Sequence, residues 1–65
     1  MINEYMKVRT LVEKEGYPAG SLGIVVSLYT SGPACEVELW DANEYPIDVV
    51  TYLLKELQPL EEEQV

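Results

Sequence analysis

Histidine and phenylalanine are absent from this 65-residue chain, cysteine and tryptophan occur once each, and only four residues are basic. Without imidazole there is no Ser-His-Asp or Cys-His arrangement to generate a nucleophile. A single thiol excludes an intramolecular disulfide, and one Cys without His cannot build a Cys/His zinc site. No apolar run approaches the roughly 20 residues of a membrane helix, and the first residues lack the basic-then-apolar pattern of a signal peptide. The expected location is the cytoplasm, where Cys35 stays reduced.

What is present suits a small folded domain. Hydrophobic residues make up 48% of the chain, too many for a disordered acidic tail. A domain of this length buries only about 60% of the surface its unfolded chain exposes, so its stability is marginal and rests on close packing or on a partner. Acids outnumber bases by 12 to 4, for a net charge of -8. The excess is uneven. Glu4, Glu13 and Glu15 balance Lys7, Arg9 and Lys14 up to Cys35, whereas beyond it nine acids face Lys55 alone. This opposes binding to phosphate backbones or to anionic membrane surfaces, and it favours a basic partner.

The pattern of apolar residues predicts strands. Lys7 to Val12 alternates, with Val8, Thr10 and Val12 on one face. Glu13 to Gly23 holds Pro18 and three glycines and reads as a long loop. Gly23 to Tyr29 is β-branched, with Ile24, Val26 and Leu28 expected to face the core. After a Thr30–Pro33 turn, Cys35, Val37 and Leu39 point inward, and Glu36 and Glu38 outward. Pairing Leu28 with Cys35, Val26 with Val37 and Ile24 with Leu39 closes a hairpin whose loop has a common length. Ile47 to Tyr52 is a further strand, 54–57 one tight helical turn stopped by Pro59, and Gln58 to Leu60 a short edge strand. The predicted fold is all-β, a small SH3-like barrel of four to five antiparallel strands over residues 7–60. Residues 1–6 form an N-terminal arm and 61–65 an acidic tail.

In their order along the chain, Gly20-Ser21-Leu22-Gly23-Ile24-Val25, the Tyr29 turn, Glu36-Val37-Glu38 ending in Asp41, Val50-Thr51-Tyr52 and Leu57-Gln58-Pro59-Leu60 carry a resemblance. From about Val8 to Leu60 the chain resembles the small bacterial family termed domain of unknown function 4926, and its G-x-x-G-x-V hairpin is similar to that of KOW domains. The resemblance implies an SH3-like barrel without catalytic residues. Through toxin-like neighbouring genes in some bacteria it also implies an antitoxin or immunity role. This chain departs from the pattern at Tyr52-Leu53, where relatives tend to have Leu-Pro.

The chemistry-bearing residues mostly have structural readings. Gly20 and Gly23 lack the Lys and the helix of a phosphate loop, and they suit positive φ or a bulge. Glu36 and Glu38 share a strand face about 7 Å apart, a spacing open to acid-base work, but a small barrel offers little cleft and they read as a solvated face. Cys35 lies in the inward phase and is expected to be buried and inert. Tyr17, Tyr29, Trp40 and Tyr45 are aromatic residues that can converge on one ligand surface, or else stand apart as ordinary exposed residues of a small domain.

The expected function is therefore a non-catalytic interaction module without cofactor or metal. Glu36, Glu38, Asp41, Glu44 and Asp48 would dock a basic protein, with Trp40 or Tyr45 as anchor. The alternative is self-association through edge strands into a homodimer. A KOW-like nucleic-acid domain ranks below both.

Overall fold

The computed structural model describes residues 2–30 and 32–60. Met1, Ser31 and 61–65, and with them the expected acidic tail, lie outside the described residues. The chain forms β1 (Lys7–Thr10), β2 (Leu22–Leu28), β3 (Ala34–Trp40), β4 (Pro46–Leu53), a 3-10 turn (Leu54–Glu56) and β5 (Leu57–Pro59). All pairings are antiparallel in one sheet of order β4-β3-β2-β1-β5. This is the expected all-β, SH3-like arrangement, with its helical turn ahead of the last strand. Ahead of β1, Tyr5 N–H donates to Val25 C=O at 2.6 Å, and Ile2 and Met6 pack against the core.

Alternation selects the core. Val8 from β1, Val25 from β2, Cys35, Val37 and Leu39 from β3, Val50 and Tyr52 from β4 and Leu57 from β5 are buried together. Each such aliphatic side chain contributes about 1.5–3 kcal/mol by leaving water. Thr10 is the buried polar residue of the set. Its hydroxyl donates to Pro18 C=O at 3.3 Å and accepts from Ser21 N–H at 3.0 Å, which fastens the β1–β2 loop to the sheet.

Strand β2 departs from the expected phase. Leu28 pairs with Cys35 as expected, but Val25 then pairs with Val37, and Gly23 with Leu39. The ladder shifts between Val25 and Ser27, so Val26 is the extra residue of a β-bulge. Beyond it the inward phase passes to Val25 and Gly23, and Ile24 and Val26 are only partly buried. The physical reason lies at Gly23. A Cβ there would run into the Glu38 carbonyl oxygen and come within 3.0 Å of Val37 Cγ1. The two backbones meet so closely that only a residue without a side chain fits.

The β1–β2 segment is also more ordered than a long loop. Lys14 and Tyr17 exchange backbone hydrogen bonds of 3.0 and 2.9 Å, with Glu15 at φ 54° and Gly16 at φ 87° between them. Positive φ at both central residues is the geometry of a two-residue hairpin turn. This small hairpin ties β4 to the 3-10 turn. Tyr17 Oη donates to Asp48 Oδ2 at 2.8 Å, and Lys14 Nζ donates to Glu56 Oε1 at 2.7 Å. The same ammonium stands 5.1 Å above the Tyr52 ring.

Most outward donors at the two sheet edges are occupied. Leu54 N–H bonds to Pro33 C=O, and the alternation of an antiparallel ladder then turns the amides of Val49, Thr51 and Leu53 to the free edge of β4. Val49 N–H donates to Asp48 Oδ1 at 2.8 Å and Leu53 N–H to Glu56 Oε1 at 2.9 Å, while the Thr51 amide between them takes no such bond among the described residues. On β5, Leu60 N–H bonds to Lys7 C=O, so Leu57 and Pro59 face outward. Leu57 N–H is taken by Leu54 C=O, and proline has none to offer.

Two outcomes are expected. Gly23→Ala should lower unfolding stability by about 1–3 kcal/mol, because a backbone carbonyl cannot step aside. Urea titration checks this, and an unchanged midpoint contradicts the close approach. The Lys14 hydrogen bond, then the Leu53 amide, hold the Glu56 carboxyl below its ordinary value of 4.5. A carboxyl with a depressed folded pKa stabilises fully above its unfolded pKa, and that contribution is lost as pH falls through the folded one. Glu56→Gln should therefore flatten the acid limb of the stability profile below about pH 4.5. Parallel acid limbs for the two proteins contradict the stabilising role of these Glu56 contacts.

Candidate functional site

The end of β3 carries a developed surface feature. The alternation of β3 sends Trp40 outward with Glu38, and Glu38 Oε1 accepts the indole N–H at 3.1 Å. The ring is thereby fixed and half-buried. Two shallow depressions share Leu22, Trp40, Asp41 and Ala42. One, of about 300 Å³, continues along Pro18, Ala19, Gly20 and Ser21. The other, of about 170 Å³, continues to Lys7, Gly23, Glu44 and Leu60.

A tight turn places the acids here. Asp41 Oδ1 accepts Asn43 N–H at 2.8 Å and Tyr45 N–H at 3.0 Å, and Asp41 N–H donates to Tyr45 C=O at 2.9 Å. An aspartate that caps its own turn is an ordinary device of such sequences. Glu44 is held at φ 67° within the turn. Its carboxylate has no hydrogen bond or ion pair among the described residues.

The proposed aromatic set is only partly brought together. Trp40 and Tyr45 flank the same turn, and Tyr45 is exposed. Tyr17 reaches Asp48, which pairs with Leu39 one residue before Trp40. Its phenol pKa is raised chiefly by that hydrogen bond, so it remains a donor at neutral pH. Tyr29, opposite Ala34, lies about 20 Å from Trp40 by strand rise, and Glu36 about 13 Å from it along β3. Tyr29 Oη donates to Glu36 Oε2, and Thr51 Oγ1 donates to the same carboxylate at 3.0 Å. Only Trp40 and Tyr45 are thus brought to one turn: Tyr17 packs on the core face beside Asp48 and lines neither depression, and Tyr29 lies at the far end.

Glu36 and Glu38, the pair with acid-base spacing, are each occupied by their own neighbours, Tyr29 with Thr51 and Trp40 respectively. No group of three acid or thiol side chains with metal-ligand spacing gathers among the described residues. Gly20, at φ 92°, supplies the positive φ expected of the glycine segment, whereas Gly23 serves close approach instead. No helix is long and apolar enough to cross a membrane.

Sequence reasoning missed two contributors to this surface. Leu22, which precedes the expected start of β2, is half-exposed beside Trp40. Lys7 Nζ lies 5.9 Å from the centroid of the indole. The outward phase of Lys7 was legible, but its meeting with Trp40 needs the lateral order β1-β2-β3. No family model, curated protein or solved structure matches this chain.

Cys35 is fully buried, and burial, followed by the charge of Glu36, pushes its thiol pKa up. Native protein at neutral pH should therefore react with an aromatic disulfide reagent no faster than it unfolds. Immediate stoichiometric labelling without denaturant contradicts this placement.

Proposed function

We propose that this chain is a non-catalytic, cytoplasmic protein-interaction module that docks a basic partner protein at the Trp40 end of its barrel. The observation that carries this reading is the fixed, half-buried indole bordered by two depressions and by the unpaired carboxylate of Glu44. Tryptophan is a favoured anchor at protein interfaces, and an acidic rim speeds encounter with a basic surface. The resemblance to the domain-of-unknown-function family supports a partner of toxin-like kind and an antitoxin or immunity role.

The docking face is narrower than the acid-rich half of the chain. Glu36, Glu38, Asp41 and Asp48 all accept hydrogen bonds from their own chain, which leaves Glu44 and the remaining oxygens of Glu38 and Asp41 for a partner. Self-association finds some support in the exposed Ile47 and Val49 of β4. The caps on the Val49 and Leu53 amides of β4 and the proline of β5 weigh against strand addition as its route, although the Thr51 amide stays open.

The test is capture from native-host lysate with tagged wild-type protein and with Trp40→Ala. A basic protein should be held by the wild type at low salt and released near 1 M salt, where the screening length falls to about 3 Å. Trp40→Ala should weaken that complex by about 2 kcal/mol or more, roughly thirtyfold. Equal capture by both proteins, or capture indifferent to salt, overturns the proposal.

A further inference from the structure

The Trp40 surface already has a cation on it. Lys7 points to the outer face of β1, opposite Ile24, which is itself opposite Glu38 on β3. Its ammonium stands 5.9 Å from the indole centroid, near the roughly 6 Å limit of a cation–π contact. The smaller depression joins this contact to Asp41 and Glu44. Asp41 engages its own turn through Oδ1, and its Oδ2 takes no bond among the described residues. Lys7 Nζ forms no ion pair within 4.0 Å there either, so the ammonium rests on the ring and not on a carboxylate.

We infer that this seat takes an arginine side chain of the basic partner, and that Lys7 occupies it in the free protein and is displaced on binding. The inference rests on the docking reading above and gives the partner group its chemistry. A guanidinium is planar and less strongly hydrated than an ammonium. It can stack on the indole while offering paired N–H groups to the carboxylate of Asp41 or Glu44. Lys7 cannot do both, because an ammonium is a compact point charge. It is a weak occupant held by its own strand, and it raises the threshold for any ligand lacking a better cation.

The chain's single tryptophan reports directly on the site. Peptides of Gly-Arg and Gly-Lys repeats, equal in length and charge, are titrated against the wild type, Lys7→Gln and Lys55→Gln while indole fluorescence is followed. Lys55, exposed on the 3-10 turn, controls for the loss of one positive charge. The arginine peptide should bind more tightly than the lysine peptide. Lys7→Gln should tighten it about two- to fivefold more than Lys55→Gln does. If Lys7→Gln perturbs the fold by circular dichroism, Lys7→Met, which keeps an apolar stem, replaces it. Equal effects of the two lysine substitutions, or no preference for arginine, overturn the inference while leaving docking at Trp40 intact. A fluorescence signal unmoved by either peptide in every variant overturns the docking reading as well.

Discussion

The approach of β2 to β3 at Gly23 is the constraint on which the rest of this barrel depends. A side chain at that position would collide with the Glu38 carbonyl, so the glycine lets the two backbones close. The bulge at Val26 provides the extra residue that brings Gly23 into the inward phase. From this follow the buried pairing of Val25 with Val37 and the position of Leu22 next to Trp40. The surface at the end of β3 is thus a consequence of how tightly the middle of the sheet is packed.

Acidic side chains do more than solvate this protein. Asp48 caps an edge amide with one oxygen and holds Tyr17 with the other. Glu56 takes Lys14 and the Leu53 amide on the same oxygen, and Asp41 caps its turn. These carboxylates occupy donors that would otherwise lie open on an edge or in a loop. A domain with so few basic residues satisfies its acids largely with amides and hydroxyls. The charge that remains unengaged beside an aromatic ring is consequently local, and this gives the Trp40 end its character.

Much of the architecture was legible in the sequence. The inward phase of Cys35, Val37 and Leu39, the pairing of Leu28 with Cys35, the single helical turn before Pro59 and the short last strand all follow from local alternation and from the geometry of proline. The phase of β2 was not legible. Ile24, Val25 and Val26 are equally apolar and β-branched, so no periodicity distinguishes a bulge among them. Nor was the hairpin at Lys14–Tyr17 evident inside a glycine-rich segment, because its bridging role depends on Asp48 and Glu56, more than 30 residues away.

Residue types and their short-range order therefore determined the class of this protein: all-β, rich in acid, without imidazole, with a lone inward thiol and one tryptophan at a strand end. Those properties depend on covalent chemistry and on a two-residue period, and both are visible in a string of letters. Tertiary structure alone decided which of the acids stay unengaged, that Lys7 lies over Trp40, and that carboxylates cap the Val49 and Leu53 amides at the β4 edge. Each of these requires strands distant in sequence to lie side by side in a particular register, and in the middle of the sheet the sequence marks the closest of these approaches only with a glycine.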